Sequence, residues 1–172
     1  ASCGREVQPG LALLRLAQGN PAAANAGLDR ALAESRVPAR RSMLLAAKVQ
    51  IAVATGSADL ARTALAELEQ NVGATEAPYL AALAAHAAGQ VRLADVDPQA
   101  ALRQLRRAWA LWQQVDAPYE AARTRVVVSA ACRALGKAER DQAPSRRDVG
   151  EVALLLLVGA RQQVRERAER VH

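Results

Sequence analysis

A chain of 172 residues fits one domain or one short stack of repeats, and its formal charge of +6, from 23 Lys and Arg against 17 Asp and Glu, is only a modest surplus of cations. Phenylalanine is absent and Tyr79, Trp109, Trp112 and Tyr119 are the only aromatic residues, so small and aliphatic side chains must fill the interior, which excludes the aromatic and β-branched alternation of a β-sandwich. The longest unbroken apolar run, Val152 to Val158, is far shorter than the ~20 residues of a membrane span, which excludes a transmembrane helix.

Helix stops and starts divide the chain from its N-terminus onward. A first helix over 8–18 ends at Gly19-Asn20-Pro21, and a second over 21–35 follows. Pro38 opens a third, 38–55, which Gly56-Ser57 closes; a fourth covers 57–71. Pro78 opens the fifth, 78–94, and Asp95-Val96-Asp97-Pro98 separates it from the sixth, 98–115; Pro118 opens the seventh, 118–135, with its stop at Leu135-Gly136. Proline suits the first helical turn, where its missing N–H leaves no bond unmade, and glycine suits the residue just past a helix end. Apolar residues recur at three and four between these marks and predict buried stripes: Leu28 and Leu32; Leu60, Leu65, Leu68 and Val72; Leu102, Leu105, Trp109 and Trp112. Connections this short make consecutive helices antiparallel.

Beyond Gly136 the pattern changes. Lys137 to Asp148 is polar and carries Pro144, so residues 137–147 read as a loop. Val149, Val152, Leu156, Ala160, Val164, Ala168 and Val171 then form a stripe that predicts a helix over about 148–171. The simplest role for 148–172 is to cap the open end of a stack; dimerisation of two chains through its apolar first half is the alternative, and a coiled-coil or DNA-reading tail a third. Residues 1–136 are the repeat region.

The repeat itself lies in the prolines. Pro38, Pro78 and Pro118 are spaced by forty, the last two within Ala77-Pro78-Tyr79-Leu80-Ala81-Ala82 and Ala117-Pro118-Tyr119-Glu120-Ala121-Ala122. Small residues recur in the same register: Ala12, Gly19, Ala24 and Ala31, then Gly56 and Ala61, then Gly89, Ala101 and Ala108, then Ser129 and Gly136, with Leu28, Leu65, Leu105 and Trp109 beside them. This pattern resembles tetratricopeptide repeats, in which helix axes approach closely at such positions, although forty residues exceed the usual length. The fold expected is an all-α antiparallel helix-pair solenoid of roughly 3.5 repeats. The passage Ala77 to Gly136, above all Ala117-Pro118-Tyr119-Glu120-Ala121-Ala122-Arg123-Thr124-Arg125-Val126 and Arg133-Ala134-Leu135-Gly136, further resembles the helical-repeat region of large LuxR-type bacterial transcriptional regulators. That likeness implies a module for effector or protein contact, without the P-loop ATPase and helix-turn-helix of such regulators, neither of which has a signature in this sequence; two unpaired cysteines without a disulfide framework fit the cytoplasm. A stand-alone scaffold or adaptor is the alternative.

Chemistry has little to build on. His86 and His172 are the only imidazoles, no nucleophile or orienting carboxylate stands at a recognisable spacing from either, and His86 reads as a packed or solvent-facing histidine. Glu67 and Glu69 look like solvated charges, and Asp97 like a helix cap. No metal-ligand cluster is legible, Cys3 and Cys132 are too far apart for a paired site and read as free thiols, Cys132 in the core, and no enzyme activity or cofactor is expected. Ala1-Ser2-Cys3-Gly4 looks like a lipoprotein cleavage site, but no hydrophobic stretch precedes it, so lipidation is not expected; the chain reads as a fragment. Nucleic-acid binding would fall to Arg146, Arg147, Arg161, Arg165 and Arg170, but the interspersed Arg and Glu without aromatics argue against it. What the tetratricopeptide likeness implies instead is a partner site on the first helices of the pairs, at Arg41, Lys48, Tyr79, His86, Tyr119, Arg123 and Arg125. Those cations favour an acidic protein or peptide, while Tyr79 and Tyr119 read equally well as packing at helix starts.

Overall fold

The structure, a computed structural model, describes residues 8–73 and 77–142, with side chains through 138. Among the described residues the chain forms α1 (Gly10–Ala17), α2 (Pro21–Glu34), α3 (Pro38–Ala54), α4 (Ala58–Gly73), α5 (Pro78–Ala94), α6 (Pro98–Gln114) and α7 (Pro118–Gln142). The chain divides into two compact units, Ala1–Leu135 and Gly136–His172, and the described part of the second is the end of α7. The expected helix over 148–171, residues 143–147 of the expected loop, Cys3, His172 and the five C-terminal arginines lie outside the described residues.

One device makes four of the turns. The second residue beyond α1, α3, α5 and α6 has positive φ: Gly19 (77°), Gly56 (69°), Val96 (61°) and Asp116 (51°). At each, that residue's N–H donates three residues back and the next N–H donates five back, as in Val96 N to Leu93 O (3.2 Å) and Asp97 N to Arg92 O (2.9 Å). This is the Schellman closure, which satisfies carbonyls that the helix end leaves open. The residue that completes it also starts the next helix. Asn20 accepts from Ala23 N at 3.1 Å and Asp97 from Ala100 N at 2.9 Å, each just ahead of a proline in the first turn.

The helices stack as antiparallel pairs that translate along the chain. Consecutive helices from α1 to α6 pack on one another, and so do α1 with α3 and α3 with α5. Small side chains set the separation: Ala24, Ala52, Ala82, Ala101, Ala108 and Ala131 are wholly buried. At the α5–α6 crossing, a Cβ on Gly89 would fall 2.5 Å from Leu105 Cγ, so only glycine fits. Larger aliphatic side chains fill the space between pairs, with Leu28, Leu44, Ile51, Leu68 and Leu105 also sealed from solvent. Ala82, Ala85, Ala108, Trp112 and Ala121 join α5, α6 and α7, and Ala101, Leu102, Leu105 and Ala131 continue the seam between α6 and α7.

Three expectations are corrected. Trp109 is 43% exposed while Trp112 is 1% exposed; the buried line of α6 runs Ala101, Leu105, Ala108, Trp112, and Trp109 falls on its flank. Cys132 is an exposed free thiol rather than a core residue, because it is rotated about 100° from the buried Ala131. Residues 137–142 are helical instead of a loop, and α7 passes Gly136 without stopping. Gly136 is followed by Lys137 and Ala138, which provide neither a side-chain cap nor a proline, so nothing there starts a new helix.

Candidate functional site

The first helices of the pairs face one groove. About 460 Å³ in volume, it is lined by Pro9, Gly10 and Leu13 at α1, by Met43, Ala46, Ala47 and Gln50 of α3, by Tyr79, Leu83, His86, Ala87 and Gln90 of α5, and by Tyr119, Glu120 and Arg123 of α7. Such a volume suits a ligand or a few side chains of a partner. The lining obeys the forty-residue register. Met43, Leu83 and Arg123 are equivalent positions, as are Gln50 and Gln90, Ala47 and Ala87, and Tyr79 and Tyr119. The groove is thus one helix face repeated.

The expected site residues separate on the same register. Tyr79, His86, Tyr119 and Arg123 meet in the groove; Arg41, Lys48 and Arg125 do not line it. Arg41 shares its register with Ala81 and Ala121, and Lys48 with the buried Ala88, positions turned toward the second helices. Arg41 accordingly donates to the Leu32 carbonyl (3.0 Å) and pairs with Glu67, tying α2, α3 and α4 together. Lys48 pairs with Asp29 on α2 at 2.5 Å. Arg125 is exposed in a register position whose counterparts, Leu45 and Ala85, are buried.

Inside the groove, charge is internally matched. Arg123 donates to Glu120 Oε2 (2.9 Å) and across the groove to Gln50 Oε1 (3.1 Å), and its guanidinium lies 5.8 Å from the centre of the Tyr119 ring. Arg103, Arg106 and Arg107, which form no ion pair among the described residues, stand exposed on α6, a helix without a single acidic side chain. The uncompensated positive charge therefore lies outside the groove. Tyr79 rests edge-on against Trp112 with ring centres 5.1 Å apart. Burial, and then Glu120, push its hydroxyl pKa above the ordinary tyrosine value.

His86 is the one buried imidazole among the described residues. Thr124 donates its single hydroxyl proton to the Glu120 carbonyl (2.9 Å), so its oxygen accepts from Nδ1–H of His86 (2.9 Å). Burial, reinforced by Arg123, lowers the histidine pKa to about 4, leaving the ring neutral near pH 7. Gln50, Gln90, Met43, Glu120 and Thr124 are not legible as site residues from positive charge and aromaticity, the criteria that single out Arg41 and Lys48. Moving Arg123 back by forty would have found Leu83 and Met43. Among the described residues no three His, Cys, Asp or Glu side chains converge as a metal site requires, and no described helix is long and apolar enough to cross a membrane.

Comparison with known proteins finds no similarity: no family model, curated protein or solved structure matches this chain.

Proposed function

We propose that this all-helical module works by binding, with the groove of α1, α3, α5 and α7 receiving a segment of a partner protein. The observation that carries this reading is the repeated groove face, which holds apolar side chains in contact with water at the surface of an otherwise well-filled stack. Met43 is 40%, Tyr79 39% and Tyr119 72% exposed there, and water-exposed apolar groups gathered in a concavity favour association. Helix-pair stacks present such concave faces as a consequence of their geometry.

The finer reading is the helical-repeat segment of a cytoplasmic LuxR-type regulator, supported by the resemblance of Ala77 to Gly136 to that region; an adaptor is its rival. Adjacent coding sequence separates the two, because a regulator requires an ATPase upstream or a helix-turn-helix downstream. The docking surface is tested by placing a photo-crosslinking amino acid at Tyr119, in the groove, or at Trp109, also exposed but on α6, in cells of the source organism. A specific adduct from position 119 and none from position 109 is expected. Adducts from position 109 alone would move the binding surface off the groove.

A further inference from the structure

The geometry points to a partner anchor that is uncharged and brings an N–H or O–H donor on a flat apolar group, a Trp or Tyr side chain, received by Nε2 of His86 with Thr124 as the positioning residue that fixes the imidazole tautomer. The inference rests on the reading of the groove as a docking surface. Three observations carry it. With Nδ1–H given to Thr124, Nε2 holds the lone pair, and it has no hydrogen-bond partner among the described residues. Among the described residues, the sealed polar side-chain atoms without a partner are Gln8 Nε2, Asn25 Oδ1, Ser35 Oγ and Trp112 Nε1; Nε2 of His86 is not one of them, and His86 lines the groove. A neutral imidazole nitrogen in that state accepts and cannot donate.

Second, the nearest cation is already matched. Arg123 is held by Glu120 and Gln50, so an anionic anchor would have to displace an existing carboxylate and a charged one of either sign would be left partly uncompensated. Third, the walls beside His86 are Leu83 and Ala87 on its own helix, with Met43 and Tyr119 facing from α3 and α7, surfaces against which an aromatic ring gains contact area. A donor-bearing ring satisfies both the walls and the acceptor. An aliphatic anchor satisfies the walls alone and leaves Nε2 dry and unpaired, which weakens binding.

The test uses the full chain carrying His172→Gln, so that the two nitrogens of His86 are the only imidazole signals, and nitrogen NMR with indole and 1-methylindole as probes. The two have the same ring, and only the first has a donor. Expected are a neutral ring protonated at Nδ1, a shift of Nε2 on adding indole, and binding of 1-methylindole roughly tenfold weaker, the factor for one lost hydrogen bond. Thr124→Val should transfer the proton to Nε2 and abolish the preference for indole, while Thr124→Ser restores both; a purely packing role for Thr124 would leave the tautomer unmoved. A ring protonated at Nε2 in the parent chain, or equal binding of the two probes with shifts at Tyr79 and Tyr119, overturns the donor assignment while leaving the groove as a docking surface. No shift of any groove resonance by either probe overturns both.

Discussion

The turn after α5 and the passage through Gly136 make an instructive pair. At Val96 the chain turns through a left-handed residue (φ 61°) although a β-branched side chain resists that conformation. At Gly136, where the conformation is free, it runs straight on as helix to Gln142. A left-handed non-glycine residue costs roughly 1–2 kcal/mol, so something worth more stands behind Val96. It is followed by the capping Asp97 and by Pro98, and the helix begun there packs Leu105 onto Gly89. Gly136 is followed by Lys137 and Ala138, which offer no cap. A helix stop is thus decided by whether the next helix has a way to begin and a surface to cover.

Packing is the larger part of that account, so the strongest way to break the contrast is Leu105→Ala. Removing a wholly buried leucine from the α5–α6 crossing should cost 2–5 kcal/mol, read as a lower denaturant midpoint with unchanged slope; a cost under about 1 kcal/mol would mean that the turn, not the packing, holds α6 in place.

The first turns of α7 have a different anchor in His86 and Thr124, and pH addresses it. Since the folded pKa is about 4 against 6.5 for a free histidine, the unfolded chain takes up the proton first, and stability contributed by His86 is complete above pH 6.5 and falls as pH drops from 6.5 toward 4. The loss is on the order of 3 kcal/mol. His86→Phe should flatten the pH dependence of the unfolding midpoint across that window, relative to the parent chain; an unaltered slope would show that carboxylates elsewhere account for it.

A smaller effect belongs to the cap. Asp97→Ala removes the bond to Ala100 N and should cost about 1 kcal/mol, whereas Asp116→Ala, at a turn whose side chain caps nothing in the structure, should cost less than half as much beyond its left-handed strain. The smallest change has the opposite sign. Val96→Gly relieves the strained conformation, offset by the greater freedom of glycine in the unfolded chain, for a net gain of up to about 1 kcal/mol. A loss there would mean that the exposed Val96 side chain makes contacts the contrast leaves out.

Legibility followed the kind of signal. Pro38, Pro78 and Pro118 open helices where their spacing places them, and Ala24, Ala61, Ala101 and Ala108 are buried where the register requires small residues. Periodicity on one helix, however, resolves a face only to about 100°, so Trp109 and Cys132, each one step or a flank away from a buried line, are exposed where the sequence predicts burial. The groove was half legible for a related reason. Selecting by charge found Arg41 and Lys48, whose side chains reach sideways to Glu67 and Asp29, and passed over Met43, Gln50 and Gln90, which carry no charge but share a register.

Local chemistry was enough to set where most helices begin, that they pair antiparallel, and which residues are small at their crossings, because proline, capping side chains and the absence of a Cβ act within a few residues of themselves. Which face of α3, α5 and α7 meets water, which cation finds a carboxylate, and that His86 gives Nδ1 to Thr124 were decided only by assembly. Those outcomes depend on groups dozens of residues apart arriving within about 3 Å of one another, a distance that hydrogen bonds and ion pairs require and that no spacing along the chain specifies.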